Sequence, residues 1–162
     1  MVDLFEQMKD NKTFYLGSDH AGYKLKGKIK DFLDELGYKY VDLGNLKLEP
    51  GDDYPDYAYR VAKNVAKTNG RGILICDSGV GVCIAANKIN GIRAVVGYNV
   101  RIAKMSRVHN NTNILCLGQD YINLDKSKKI IQTWIETDFS AEKRHQRRLE
   151  KISKIEHKNI DF

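Results

Sequence analysis

The chain is poor in residues that stiffen or cross-link a fold: 162 residues contain two prolines, three cysteines and one tryptophan. Cys76, Cys83 and Cys116 are odd in number and form no paired C-x-x-C arrangement, which argues against both a disulfide framework and a zinc site. Free thiols fit a reducing compartment, so a cytoplasmic setting is expected. Apolar runs are strand-sized, far below the roughly 20 residues of a membrane helix, so no membrane partner is expected. The opening MVDLFEQMKD has no long apolar core and no small-residue cleavage site, and does not read as a secretory signal. The formal charge of +6 is concentrated from Lys143 to Lys158, beside acids on a helical pattern. That reads as a solvated face, and no nucleic-acid partner is expected.

What is present is a globular composition, 42% hydrophobic, long enough for one core. One domain over 1–162 is expected, with 1–12 as an N-terminal extension. Thr13–Ser18 is short, aromatic and β-branched, and Leu25, Ile29, Phe32, Leu33 and Leu36 then form one helical stripe closed by Gly37. Tyr38–Leu43 alternates with period two. Both prolines, Pro50 and Pro55, fall in a polar loop over 44–55, before a helix striped by Ala58, Val61, Ala62 and Val65. Gly72–Cys76 is a continuous apolar run, as for a strand covered on both faces. Ser78–Gly81 turns into a helix through Ala86. Ile92–Val96 and Asn113–Leu117 are two further strands with a helix over 100–108 between them, and helices are expected over 122–135 and 141–155. This alternation predicts an α/β, three-layer, doubly wound Rossmann-like fold. It has a five-stranded parallel sheet and an extra C-terminal helix over 141–157 whose apolar residues Leu149, Ile152 and Ile155 suit a partner.

Such sheets bind ligands at the carboxyl ends of their strands. Three of those ends are polar: Ser18-Asp19-His20, Cys76-Asp77-Ser78 leading into Gly79-Val80-Gly81, and Tyr98-Asn99. The Gly79–Gly81 turn opens a helix whose unpaired N–H groups favour an anion or a developing enediolate; a plain tight turn is the competing reading. As a dinucleotide fingerprint it fails, because Ile84 stands where the third glycine belongs and no acid lies near position 101. No cofactor is expected. Cys76, facing that helix start, is placed to be a base or nucleophile, against the alternative of an inert buried thiol. Asp77 beside it opposes a thiolate unless its side chain turns away. Cys83 and Cys116 read as small core residues. His20 and His109 sit in polar clusters that suit proton transfer, and Arg144 and Arg148 share a helix face, as a phosphate grip or a solvated basic surface.

Gly17-Ser18-Asp19-His20-Ala21-Gly22, Asp53-Tyr54-Pro55-Asp56-Tyr57-Ala58, Ile73-Leu74-Ile75-Cys76, Ser78-Gly79-Val80-Gly81 and Ile84-Ala85-Ala86-Asn87-Lys88 together resemble the type B ribose-5-phosphate isomerase family. Gly91-Ile92-Arg93-Ala94, Ser106-Arg107-Val108-His109-Asn110 and Arg144-His145-Gln146-Arg147-Arg148 extend the likeness, in order, from about residue 13 to 157. The resemblance implies an aldose–ketose isomerase that interconverts ribose 5-phosphate and ribulose 5-phosphate through an enediolate, without metal or cofactor. It implies Cys76 as general base, Ser78 assisting at the hydroxyl oxygens, and the turn Gly79, Val80, Gly81 holding the enediolate. It further implies ring opening by Asp19 and His109, sugar contacts from Tyr54 and Asn110, and phosphate contacts from His20, Arg144 and Arg148. Another branch of the family places a glutamate base where this chain has Val82. The family's site lies between subunits, which implies a homodimer or tetramer with His109 and some arginines coming from the neighbour.

Two departures from the family pattern stand out. Asp77 replaces a usual glycine beside the base, and Asp120 stands where relatives carry a phosphate-contacting arginine. A six-carbon sugar phosphate (allose 6-phosphate or galactose 6-phosphate) is therefore the rival substrate, and a non-catalytic subunit of such an enzyme is the rival role. A nucleic-acid-binding reading is weaker.

Overall fold

A computed structural model describes residues 13–158; the expected extension over 1–12 lies outside the described residues. Five strands, β1 (Phe14–Ser18), β2 (Tyr40–Asp42), β3 (Arg71–Cys76), β4 (Ala94–Val96) and β5 (Ile114–Gly118), form one parallel sheet in the order β2-β1-β3-β5-β4. The connections are α1 (Tyr23–Glu35), α2 (Tyr54–Thr68), α3 (Val80–Ala86) and α4 (Val100–Asn110), with α5 (Leu124–Glu136) and α6 (Lys143–Glu156) after the last strand.

Period-two alternation along the central strands builds the two helix layers. Ile73 and Ile75 of β3, with Leu16, Leu115 and Leu117, face Leu25, Ile29 and Leu33 of α1 and Ile130, Ile131 and Trp134 of α5. Leu74 and Cys76, with Cys116, face Ala58, Val61, Ala62 and Val65 of α2 and Val82 and Ala86 of α3. Ile73, Leu74 and Ile75 are fully buried, each stabilising the fold by about 1.5–3 kcal/mol through transfer from water alone. The three-layer, doubly wound architecture expected from the alternation is therefore what forms.

The edge strands are shorter than their sequence patterns. The alternation over 38–43 yields only Tyr40–Asp42, and 92–96 only Ala94–Val96, because each edge strand pairs on one side alone. Helix ends at the amino edge of the sheet are closed by buried arginines. Arg71 donates to the Ile135 carbonyl at 2.7 Å, Arg107 donates through Nε to Thr137 O at 3.1 Å, and both guanidiniums flank the Trp134 ring. Cations at the carbonyl end of α5 complement its dipole. Burial, then Arg71 nearby, lowers the Arg107 pKa to about 10, so its charge persists at neutral pH. The last helix is the exception to close packing: its Ile152 and Ile155 are 39% and 49% exposed.

Candidate active site

β1 and β3 are neighbours from which the chain runs in opposite directions across the sheet, so a crevice opens between their carboxyl ends. β3 ends on Cys76, whose sulfur is buried and accepts the Gly79 N–H at 3.0 Å. Gly79 makes that contact with φ at +79°, and a Cβ there would come within 2.9 Å of the Leu117 carbonyl carbon. The side chain of Asp77 turns back to accept the Ser78 N–H, so the neighbouring carboxylate is spent on its own turn and exposed to solvent. Ser78 Oγ accepts the Val80 N–H at 3.2 Å. Three successive amides, those of Ser78, Gly79 and Val80, thus have acceptors on side chains of the same segment. Gly81 lies against the half-exposed Tyr54 ring so closely that a Cβ would meet it at 2.7 Å, which puts Tyr54 over the glycine turn.

From β1, Asp19 is buried and accepts the Gly22 N–H at 3.1 Å, bracing the start of α1. Burial raises its pKa, and the Gly22 bond and His20 oppose the rise without cancelling it. His20 is exposed and binds a residue that sequence reading passed over. Asp52, from the loop over 44–55, accepts the His20 backbone N–H at 2.9 Å and sits 2.6 Å from its Nδ1. Its other oxygen accepts Asn45 Nδ2 at 2.9 Å, and Tyr57 donates to it as well. Lys26 fixes the start of this loop, its buried ammonium donating to Asp42 Oδ1 at 2.8 Å and to Asn45 O at 2.6 Å. Nothing in the sequence links Asp52 to a histidine 32 positions earlier; the polarity of the loop was the sole signal.

Asp19, His20 and Asp52 each offer a ligand atom within 4.8 Å of the others, the one such group among the described residues. His20 and Asp52 are in direct hydrogen bond at 2.6 Å, so Nδ1 carries a proton directed at the carboxylate and offers no lone pair to an ion.

The expectation that Tyr98-Asn99 joins the β1 and β3 ends needs correction. β5 inserts between β3 and β4, so the third strand end beside Cys76 is Gly118-Gln119-Asp120. Gln119 N–H donates to Cys76 O at 2.9 Å, its side chain accepts the Leu25 N–H at 3.0 Å, and Asp120 N–H donates to Asp77 O at 3.0 Å. Asn99 instead caps α4, accepting the Ile102 N–H at 2.9 Å. Cys83, expected in the core, is only half-buried, unlike Cys116.

His109, Asn110, Arg144 and Arg148 gather at the opposite edge. His109 ends α4 just before Asn113, which accepts the Gly72 N–H at 2.9 Å at the start of β3. Four strand steps of about 3.3 Å separate that level from Cys76, roughly 13 Å along the sheet. There the His109 ring stacks on buried His145 of α6, centroids 4.6 Å apart, and Arg144 and Arg148 lie exposed on the same helix. Arg107 anchors this end of α4, donating to Asn111 Oδ1 at 2.8 Å and to Thr112 O. Burial lowers the His145 pKa, reinforced by Arg144 and His109, and its Nε2 has no hydrogen-bond partner among the described residues. One chain thus holds the expected site residues as two separate groups at opposite edges: Cys76, Ser78, Asp19, His20, Tyr54 and the glycine turn at one, the His109 and arginine group at the other.

A doubly wound sheet with a thiol, a carboxyl, a histidine and a glycine turn at one crevice is the framework of an α/β enzyme acting on a small polar substrate. Residues 14–152 match the Ribose/Galactose Isomerase family. The ribose-5-phosphate isomerase B of Escherichia coli is 44% identical over 147 residues, covering 90% of this chain and 97% of that protein. The structure of Clostridium thermocellum ribose-5-phosphate isomerase B superposes with a TM-score of 0.87 at 45% identity, covering 91% of this chain and 99% of that one. Mycoplasma genitalium ribose-5-phosphate isomerase B, solved with bound ribulose-5-phosphate, gives a TM-score of 0.86 at 39% identity, with 90% and 96% covered. The chain belongs to the ribose/galactose isomerase family, with its likeness running to the type B ribose-5-phosphate isomerases. Among the described residues no helix is long and apolar enough to cross a membrane.

Proposed function

We propose that the protein interconverts ribose 5-phosphate and ribulose 5-phosphate through an enediolate, with Cys76 as the general base. The observation that carries this reading is the Cys76 sulfur, buried at the end of a central strand and accepting an amide N–H at 3.0 Å where a helix begins. As a thiolate it takes the proton from C2 of the open-chain aldose and returns it to C1, while Ser78 relays the hydroxyl proton between O1 and O2. The Gly79, Val80, Gly81 turn meets the enediolate oxygens, and Tyr54 covers the sugar. Asp19 and a histidine open the ring, and the raised Asp19 pKa suits a carboxyl that can donate a proton.

That histidine is His109 of a second copy. Within one chain His109, Asn110, Arg144 and Arg148 lie at the far edge, so a homodimer or larger assembly that sets one chain's far edge on the other's crevice completes two sites. The exposed apolar residues of α6, Ile152 and Ile155, support its placement at that interface. A cytoplasmic setting suits a chain whose three cysteines are free.

A six-carbon sugar phosphate remains the second reading, favoured by Asp120. Asp77 and Asp120, both exposed, stand together at the rim where the resemblance implies an arginine. Turnover of ribose 5-phosphate, allose 6-phosphate and galactose 6-phosphate, compared without added metal, tests the choice. Preference for the five-carbon sugar is expected. A six-carbon preference selects the second reading, and inactivity on all three points to a non-catalytic subunit.

A further inference from the structure

The His20–Asp52 pair carries more than a loop contact. Asp52 Oδ1 receives two bonds from one residue, the His20 backbone N–H at 2.9 Å and the ring Nδ1 at 2.6 Å. An ionised carboxylate only accepts, so Nδ1 must carry its proton, and Nε2 is the ring nitrogen left for a ligand. The carboxylate itself is held from two further directions, by Asn45 Nδ2 at 2.9 Å and by Tyr57 of α2, and Asn45 is in turn fixed by Lys26 of α1, which grips its backbone carbonyl at 2.6 Å. Its side chain is 8% exposed, against 41% for His20. A buried, four-times-anchored acid behind an exposed ring is the arrangement that orients a histidine and sets its charge.

We propose that Asp52 is a positioning residue. It fixes His20 in the Nδ1–H form and keeps the ring cationic, so that Nε2–H is a charged donor to the anionic phosphate of the substrate. The proposal rests on the sugar-phosphate reading for the identity of the anion, but the pairing of charge and tautomer does not. Two charged groups face the ring, Asp52 from the loop and Asp19 from the end of β1; Tyr57 reaches it only through Asp52. Both carboxylates favour the imidazolium, with the Asp52 hydrogen bond the larger cause, and the His20 pKa is raised. The ring is therefore charged below its ordinary titration range and through it, and loses its proton only as pH rises past the raised value. Phosphate binding should weaken on the alkaline side of that titration.

The test uses the full chain and its Asp52→Asn and Asp52→Glu variants. The amide of Asp52→Asn can still accept the His20 backbone N–H, so the loop keeps an anchor while the charge is lost. With ring-labelled histidine, and His20→Gln to assign the resonance among four histidines, NMR titration should find His20 protonating at lower pH in Asp52→Asn and near the native value in Asp52→Glu. Inorganic phosphate should move the native His20 resonance and bind about tenfold more weakly to Asp52→Asn at neutral pH. With active enzyme, KM for ribose 5-phosphate should rise by a similar factor while kcat changes less, and the alkaline limb of kcat/KM should shift to lower pH. An unchanged His20 titration in a folded Asp52→Asn protein would overturn the proposal, as would equal phosphate affinity. If the wild type turned over no sugar phosphate, the functional reading would fall while the titration and phosphate arms still decided the role of Asp52.

Discussion

A shared site makes a quantitative demand on mixed assemblies. Four strand steps, roughly 13 Å, separate Cys76 from the level of Asn113, just past the helix end that carries His109, so the two groups sit at opposite edges of the sheet within one chain. Cys76→Ala and His109→Ala should each abolish turnover as homodimers, with a loss of about 10² to 10⁴-fold for removal of a proton-transfer group. When the two variants are co-expressed with different tags, random pairing makes about half of the dimers mixed, and each mixed dimer holds one intact site and one doubly defective site. About a quarter of wild-type activity should therefore return, and about half in the purified doubly tagged species. The assay is ribulose 5-phosphate formation by the singly and doubly tagged fractions. A mixed fraction no more active than either parent would refute the shared site, and so would a His109→Ala homodimer that retained full turnover.

Other outcomes follow from the same geometry. Gly79→Ala should cost about 1–3 kcal/mol of stability in denaturant melts, because φ at +79° and a 2.9 Å approach to the Leu117 carbonyl carbon both oppose a side chain. Lys26→Met should cost about 1–3 kcal/mol, since it strands the buried carbonyl of Asn45, while Asp42 keeps the Lys30 ammonium at 3.0 Å and the Gly44 N–H. Asp42 and Asp52 titrate below their ordinary values: burial opposes this, but bonds from Lys26 and Lys30 to one and from His20 and Tyr57 to the other prevail. A depressed folded-state pKa contributes stability that is present above the unfolded value and lost as pH falls through the folded one. Thermal midpoints should accordingly decline on acidification below about pH 4, and less steeply in Asp42→Asn.

The parts of this molecule legible in the sequence are those where one physical demand dominates. Ile73–Cys76 could be read as a doubly covered strand because nothing but aliphatic side chains and a thiol occupies it, and Val61, Ala62 and Val65 mark one face of a helix whichever strand it covers. The edge strands were overextended because alternation in Tyr38–Leu43 records which face is buried, while strand length records how many neighbours supply hydrogen bonds. Strand order was a larger gap. The residues of Tyr98-Asn99 are as polar as those of Gln119-Asp120, and only the insertion of β5 beside β3 decides which pair borders Cys76. The Asp52–His20 bond joins a loop to a strand end across 32 positions, and an acid in an acidic loop carries no mark of its partner. Likewise Arg144, His145 and Arg148 form a recognisable cluster, but its distance from Cys76 follows from the direction of α4, which returns to the amino edge before His109 is reached.

The most direct measurement is ribose 5-phosphate turnover by Cys76→Ala and Cys76→Ser against wild type, run in deuterated water with product analysed for deuterium at C1. If Cys76 is the base, both variants fold like the wild type, lose about 10² to 10⁴-fold in kcat and no longer wash solvent deuterium into the product. Variants that keep kcat within tenfold of wild type and exchange deuterium at the native rate would contradict the assignment and move the base to another group in the crevice.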